Sequence, residues 1–122
     1  MVTVRDIMSP NLVAVAPEAS VAEAATIMGG NQVGAALVLE AGVPVGIFTE
    51  RDALRALASD FDAAHDPVTQ WMSSEPMTIG PDAEIREARD LMLEHGFRHL
   101  PVVEGGRVVG VISIRDLARV ER

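Results

Sequence analysis

Shifted by 64 residues, the chain lies over itself without a gap. Residues 4–57 against 68–121 give 16 identities in 54 pairs, where average composition gives roughly three or four by chance. The identities include Met8/Met72, Pro17/Pro81, Glu23/Glu87, Met28/Met92, Gly46/Gly110, Arg51/Arg115 and Asp52/Asp116. An internal duplication on this scale constrains the fold more than any single motif. Two copies are too few for a long solenoid. They most simply pack about a pseudo-two-fold axis.

Each copy carries the same pattern. A short helical turn (4–8; 68–72) precedes an extended segment, "LVAVAP" or "MTIGP", that ends at Pro17 or Pro81. An amphipathic helix follows, with Val21, Ala24, Ala25, Ile27 and Met28 on one face in the first copy. Ile85, Ala88, Leu91 and Met92 form that face in the second. Two apolar runs around a glycine turn, "AALVLE-AG-VPVGIF" and "HLPVVE-GG-RVVGVIS", predict a β-hairpin. A last helix starts at Thr49 or Ser113. The unit is β-α-β-β-α, an α/β (α+β) fold. The predicted division is 1–59 for the first repeat, 60–67 for a polar linker ending in Pro67, and 68–122 for the second repeat.

Composition narrows the function. Aromatics are only 3%, so Ala, Val, Ile, Leu and Met fill the core, and Met8, Met28, Met72 and Met92 recur as gap-fillers. A formal charge of −8 argues against a nucleic-acid partner. A few local Arg or His residues can still hold a phosphate. With no cysteine there are no disulfides and no Cys-ligated metals. No apolar run reaches the ~18 residues of a membrane span, and the N-terminus lacks a signal-type apolar core. A cytoplasmic protein without membrane attachment is expected.

The heptads "GIFTERD" (46–52) and "GVISIRD" (110–116) admit two readings. In one, Thr49 and Ser113 cap a helix, Asp52 and Asp116 reach back to the cap, and Gly46 and Gly110 let a neighbour pack close. In the other, a strand running into a helix offers free N–H groups to an anion, the hydroxyl adds a bond to phosphate, and the Asp takes the two hydroxyls of a ribose. Glycine would then let a planar base approach the backbone. Both can hold at once. The retention of Arg51/Arg115 and Asp52/Asp116 favours a role beyond capping.

"RDIMS" and "TQWMS" at the repeat starts, "TIGPDAEIREARDLM", and above all "HGFRHLPVVE-GGRVVGVISIRDL" resemble the CBS domain (the cystathionine-β-synthase-type repeat). The tandem arrangement resembles the paired form called a Bateman module, over almost the whole chain. The resemblance implies two repeats packed through their sheets, with two clefts between them that take adenine-containing ligands: AMP, ADP, ATP, S-adenosylmethionine or NAD(H). It implies a non-catalytic sensor with no required cofactor, pairing into homodimers and passing its signal to a separate effector protein.

By the same resemblance, Asp52 and Asp116 hold ribose, and Thr49 and Ser113 bind ribose or phosphate. The stronger cleft is expected from Thr78, Ile79, Pro81, Arg98, His99, Pro101, Ser113, Arg115 and Asp116. The weaker one is expected from Val15, Thr49, Arg51 and Asp52, because Ala14 stands where the second copy has Thr78, and "GAAL" where it has "RHLP". His95 and His99 are four apart, but Gly96 intervenes and no third ligand is near, so no metal site is expected. Trp71, in place of Ile7, reads as core or interface. No nucleophile–base pair suggests an enzyme. The competing class is a structural dimerisation module with degenerate clefts.

Overall fold

The computed structural model describes residues 1–74 and 76–120. The chain begins with a one-turn helix, α1 (Val4–Ile7). The Asp6 carboxylate accepts the Thr3 backbone N–H at 2.9 Å. That bond holds the carboxyl below its ordinary pKa. Strand β1 (Ala14–Val15) follows, then helix α2 (Val21–Gly30). Ser20 caps α2 by accepting the Glu23 N–H at 3.0 Å, and the Glu23 carboxylate reaches back to the Ser20 N–H at 3.4 Å. Val21, Ala24 and Met28 are buried, whereas Ala25 and Ile27 are exposed. The packing face of α2 is therefore narrower than the predicted one.

Strands β2 (Ala35–Glu40) and β3 (Val43–Thr49) pair antiparallel. Their two-residue turn, Ala41–Gly42, has positive φ at both positions (52° and 80°), which matches the twist of the flanking strands. Helix α3 (Glu50–Ser59) leaves the end of β3. The predicted linker does not run free. Residues Phe61–His65 form a 3₁₀ turn, started by Asp60 accepting the Asp62 N–H at 3.0 Å, and Ala63 is 1% exposed in the core. One apolar side chain inside a polar stretch fixes the segment. A second 3₁₀ turn, Val68–Gln70, leads to β4 (Ser73–Ser74).

The second repeat follows the same path. Helix α4 (Ile85–His95) buries Ala88 and Met92. Strands β5 (His99–Glu104) and β6 (Arg107–Ser113) form a hairpin turning at Gly105–Gly106, and α5 (Ile114–Val120) follows. Both hairpins carry a register irregularity at the same repeat position, Val38/Leu39 and Val102/Val103. Core volume is divided differently between them. Ala36 faces Phe48 in the first, whereas Leu100 faces Ile112 in the second. A small–large pair in one repeat is matched by two medium side chains in the other, as close packing requires.

The compact units divide the chain differently from the repeats. One comprises Met1–Leu12 with Met77–Arg122, and the other is Val13–Pro76. The lead-in of each repeat is thus built into the body of the other. Val4 donates its N–H to the Ala83 carbonyl at 2.9 Å, and its counterpart Val68 donates to Ala19 at 2.8 Å. Both valines are fully buried. Ser9 pairs with Val111 along β6, as Ser73 pairs with Ile47 along β3. Arg5 extends the first of these ties by ion pairs to Glu104 at 2.6 Å and Asp82 at 3.4 Å. Among the described residues, no helix is long and apolar enough to cross a membrane.

Candidate functional site

The unit containing the second repeat gathers its expected residues at the open end of the β5–β6 hairpin. His99 lies opposite Ser113 in the ladder, and the Arg98 carbonyl accepts the Ile114 N–H at 2.9 Å. The segment "TIGP" runs alongside. Ile79 forms a parallel bridge with Val102, its N–H donating to the Pro101 carbonyl at 3.1 Å, so Thr78 comes beside β5. Thr78, Arg98 and Arg115 are exposed, His99 and Ser113 are half-buried, and Pro81 and Pro101 are buried. Ile79 belongs to the core of this unit. It shapes the strand beside the hairpin and does not offer its side chain to solvent.

The first repeat places its set in the corresponding positions. Ala35 lies opposite Thr49, the Gly34 carbonyl accepts the Glu50 N–H at 2.9 Å, and Ala14 and Val15 pair with Leu37 and Val38. Val15 is a core residue, 7% exposed. Arg51 is exposed.

The capping reading of the two heptads holds in full. The Thr49 hydroxyl accepts the Asp52 N–H at 3.2 Å, and Asp52 Oδ2 accepts the Thr49 N–H at 2.9 Å. Ser113 and Asp116 repeat this at 3.1 and 2.9 Å. Each hydroxyl still has its own proton to donate. Two details of the nucleotide reading need correction. The helix starts are not rows of free donors, because the N–H groups of Glu50, Asp52, Ile114 and Asp116 are already bonded. Nor is the glycine side open to a base. A Cβ on Gly110 would lie 2.8 Å from the Ser9 carbonyl oxygen and 2.7 Å from Met8 Sδ. One on Gly46 would lie 2.9 Å from the Ser73 carbonyl oxygen and collide with the Met72 sulfur. Both glycines are required by the exchanged lead-in segments.

The two carboxylates differ in what their second oxygen meets. Asp52 Oδ1 accepts a charge-assisted bond from Arg55 Nη1 at 2.8 Å, and the Asp52 side chain is 7% exposed. Asp116 Oδ1 stands 3.8 Å from Arg119 Nη1, beyond hydrogen-bond reach, and that side chain is 17% exposed. Arg55 and Arg119 occupy the same repeat position, three residues after the Asp. Neither arginine is among the site residues expected from the sequence, although this spacing brings side chains together on a helix. His95 stacks on Phe97 with ring centroids 5.7 Å apart. Among the described residues, no cluster of three or more His, Asp or Glu could hold a metal ion.

The family model for the CBS domain matches residues 4–59 and again 68–122. The chain belongs to the CBS-domain family. A CBS domain-containing protein of Bacillus subtilis, YhcV, is 38% identical over 119 residues, covering 97% of this chain and 84% of that protein. The structure of the CBS domain protein PAE2072 from Pyrobaculum aerophilum, complexed with AMP, is 32% identical with a TM-score of 0.86, covering 95% of this chain and 90% of that one. The CBS domain pair of MJ0100, in complex with 5′-methylthioadenosine and S-adenosyl-L-methionine, is 26% identical with a TM-score of 0.89, covering 98% and 94%. This chain is therefore a CBS pair of mixed α/β fold.

Proposed function

We propose that this CBS pair is a non-catalytic regulatory module that binds an adenosine-bearing ligand, an AMP-like nucleotide foremost. The principal binding set is that of the second repeat. Asp116 takes the ribose diol, Ser113 donates to ribose or phosphate, and Thr78, Arg98, His99 and Arg115 surround the remaining polar groups. Ile79, Pro81 and Pro101 fix the strand path, their backbone groups being tied to one another, to Val103 and to Arg5.

The observation that carries the reading is the Asp116 carboxylate. One oxygen is spent on the helix cap, and the other has no hydrogen bond among the described residues. A carboxylate oriented in this way is ready to accept from a vicinal diol. The AMP complex of the relative from Pyrobaculum aerophilum supports the ligand class. The S-adenosyl-L-methionine complex of MJ0100 supports the adenosyl group as the common element. Ligand binding would then favour one arrangement of the module by differential contacts and pass that change to a separate effector protein.

A structural role in pairing two copies is the second reading. It is supported by Leu54, Leu57 and Phe61, which are 69%, 50% and 93% exposed on α3 and the turn after it. The two readings separate in a thermal-shift scan with AMP, ATP, S-adenosylmethionine and NAD. A ligand at one hundred times its Kd raises the melting temperature of a chain this size by about 10 °C. The binding reading requires such a rise with at least one adenosine compound and none with guanosine nucleotides. No rise with any of them leaves only the structural reading.

A further inference from the structure

In the Val13–Pro76 unit the counterpart of the Asp116 carboxylate is already occupied. Arg55 Nη1 donates to Asp52 Oδ1 at 2.8 Å, on the oxygen not used by the helix cap. The guanidinium also has an aromatic neighbour. Its Cζ lies 5.9 Å from the centroid of the Trp71 ring, within cation–π range. Trp71 is fixed in turn, because its indole N–H donates to Asp66 Oδ2 at 3.1 Å. A continuous chain, Asp66–Trp71–Arg55–Asp52, thus runs from the segment between the repeats to the carboxylate. The other unit has the equivalent Asp116 and Arg119, but its exchanged lead-in segment brings Ile7 where this one brings Trp71. Without a ring to hold its guanidinium, Arg119 stops 3.8 Å from Asp116.

Resting on the proposed role of these carboxylates as diol acceptors, we infer that Arg55 is an internal competitor for the ribose site of the first repeat. Clamped by Trp71, it sets the specificity of that site. The guanidinium occupies the oxygen that a ribose hydroxyl needs, so a ligand with a vicinal diol binds there only after the Asp52–Arg55 pair opens. The pair lowers the fraction of competent sites and weakens the apparent affinity by that fraction. The first repeat accordingly discriminates against ribonucleosides that the second repeat accepts. Arg55 is a specificity-determining residue of the first repeat, and Trp71 acts through it as a positioning residue.

The test uses the full chain carrying Asp116→Asn, so that binding at the first repeat is read alone, with AMP and 2′,3′-dideoxy-AMP as probes in calorimetry. The Arg55 side chain is 57% exposed, so Arg55→Met leaves no cavity and keeps an apolar stem over the indole. Adding Arg55→Met is expected to tighten AMP by about two- to fivefold, the scale of a partly exposed charge pair. Dideoxy-AMP, which lacks the diol, should not gain. Arg55→Lys keeps a cation beside Asp52 and should stay near the parent affinity. An unchanged AMP affinity in Arg55→Met, or equal gains for both probes, overturns the inference while leaving binding at the second repeat intact. Absence of AMP binding in the unsubstituted chain and in both Arg55 variants overturns the ribose reading as well.

Discussion

Gly110→Ala is expected to lower the unfolding free energy by about 2 kcal/mol, the middle of the range for forcing an extra carbon into a packed contact. The new methyl would meet the Ser9 carbonyl oxygen at 2.8 Å and Met8 Sδ at 2.7 Å. The methionine side chain can yield. The Ser9 backbone cannot yield without cost, because its N–H and C=O both bond to Val111, at 2.9 and 3.0 Å. Relief must come from pulling the N-terminal lead-in off β6, which strains the burial of Val4 and the ion pairs of Arg5. Gly80→Ala is the control. Nothing lies within 4 Å of a Cβ there and its φ is not positive. That substitution should be neutral, or stabilise by ~0.4–1 kcal/mol through the unfolded chain. Urea denaturation reads both as midpoint shifts at unchanged slope. Equal effects at the two glycines would contradict the role assigned to the lead-in segments.

Much of the fold was legible in the sequence for a definite reason. The 64-residue offset turns each ambiguous stretch into two observations of one element. Both hairpins, the capping boxes of the two heptads and the helix after each hairpin follow from that register and from turn and cap chemistry. The exchange of lead-in segments was not legible. An internal repeat says that Val4 and Val68 are equivalent, but a valine packs equally well beside Ala19 or Ala83, and the pattern is the same either way. The glycines were read in two ways, and only three-dimensional contact separates the approach of Met8 and Met72 from that of a ligand. In α2, apolar character alone did not decide between inward Met28 and outward Ala25 and Ile27. At the site, Arg55 was available at helical spacing from Asp52. What gives it a role is Trp71, which lies 16 residues further along the chain and meets it only after folding.

The second large effect concerns the carboxylates themselves. Asp116→Asn keeps an acceptor oxygen for the Ser113 N–H and nearly the same volume, so the cap largely survives. It removes the negative charge that a ribose diol would meet. A hydrogen bond to a charged group contributes about 1.5–3 kcal/mol, so AMP affinity should fall by roughly 10- to 100-fold. Asp52→Asn should change the measured affinity by less than about threefold, because Arg55 holds that carboxylate and the occupied repeat is the other one. The difference cannot arise from capping, since both residues cap alike at 2.9 Å. Calorimetric titration of AMP into the wild type, Asp116→Asn and Asp52→Asn reads this difference. One dominant site is expected, lost in Asp116→Asn and retained in Asp52→Asn; equal losses in the two variants, or the larger loss in Asp52→Asn, would rule out Asp116 as the principal ribose acceptor.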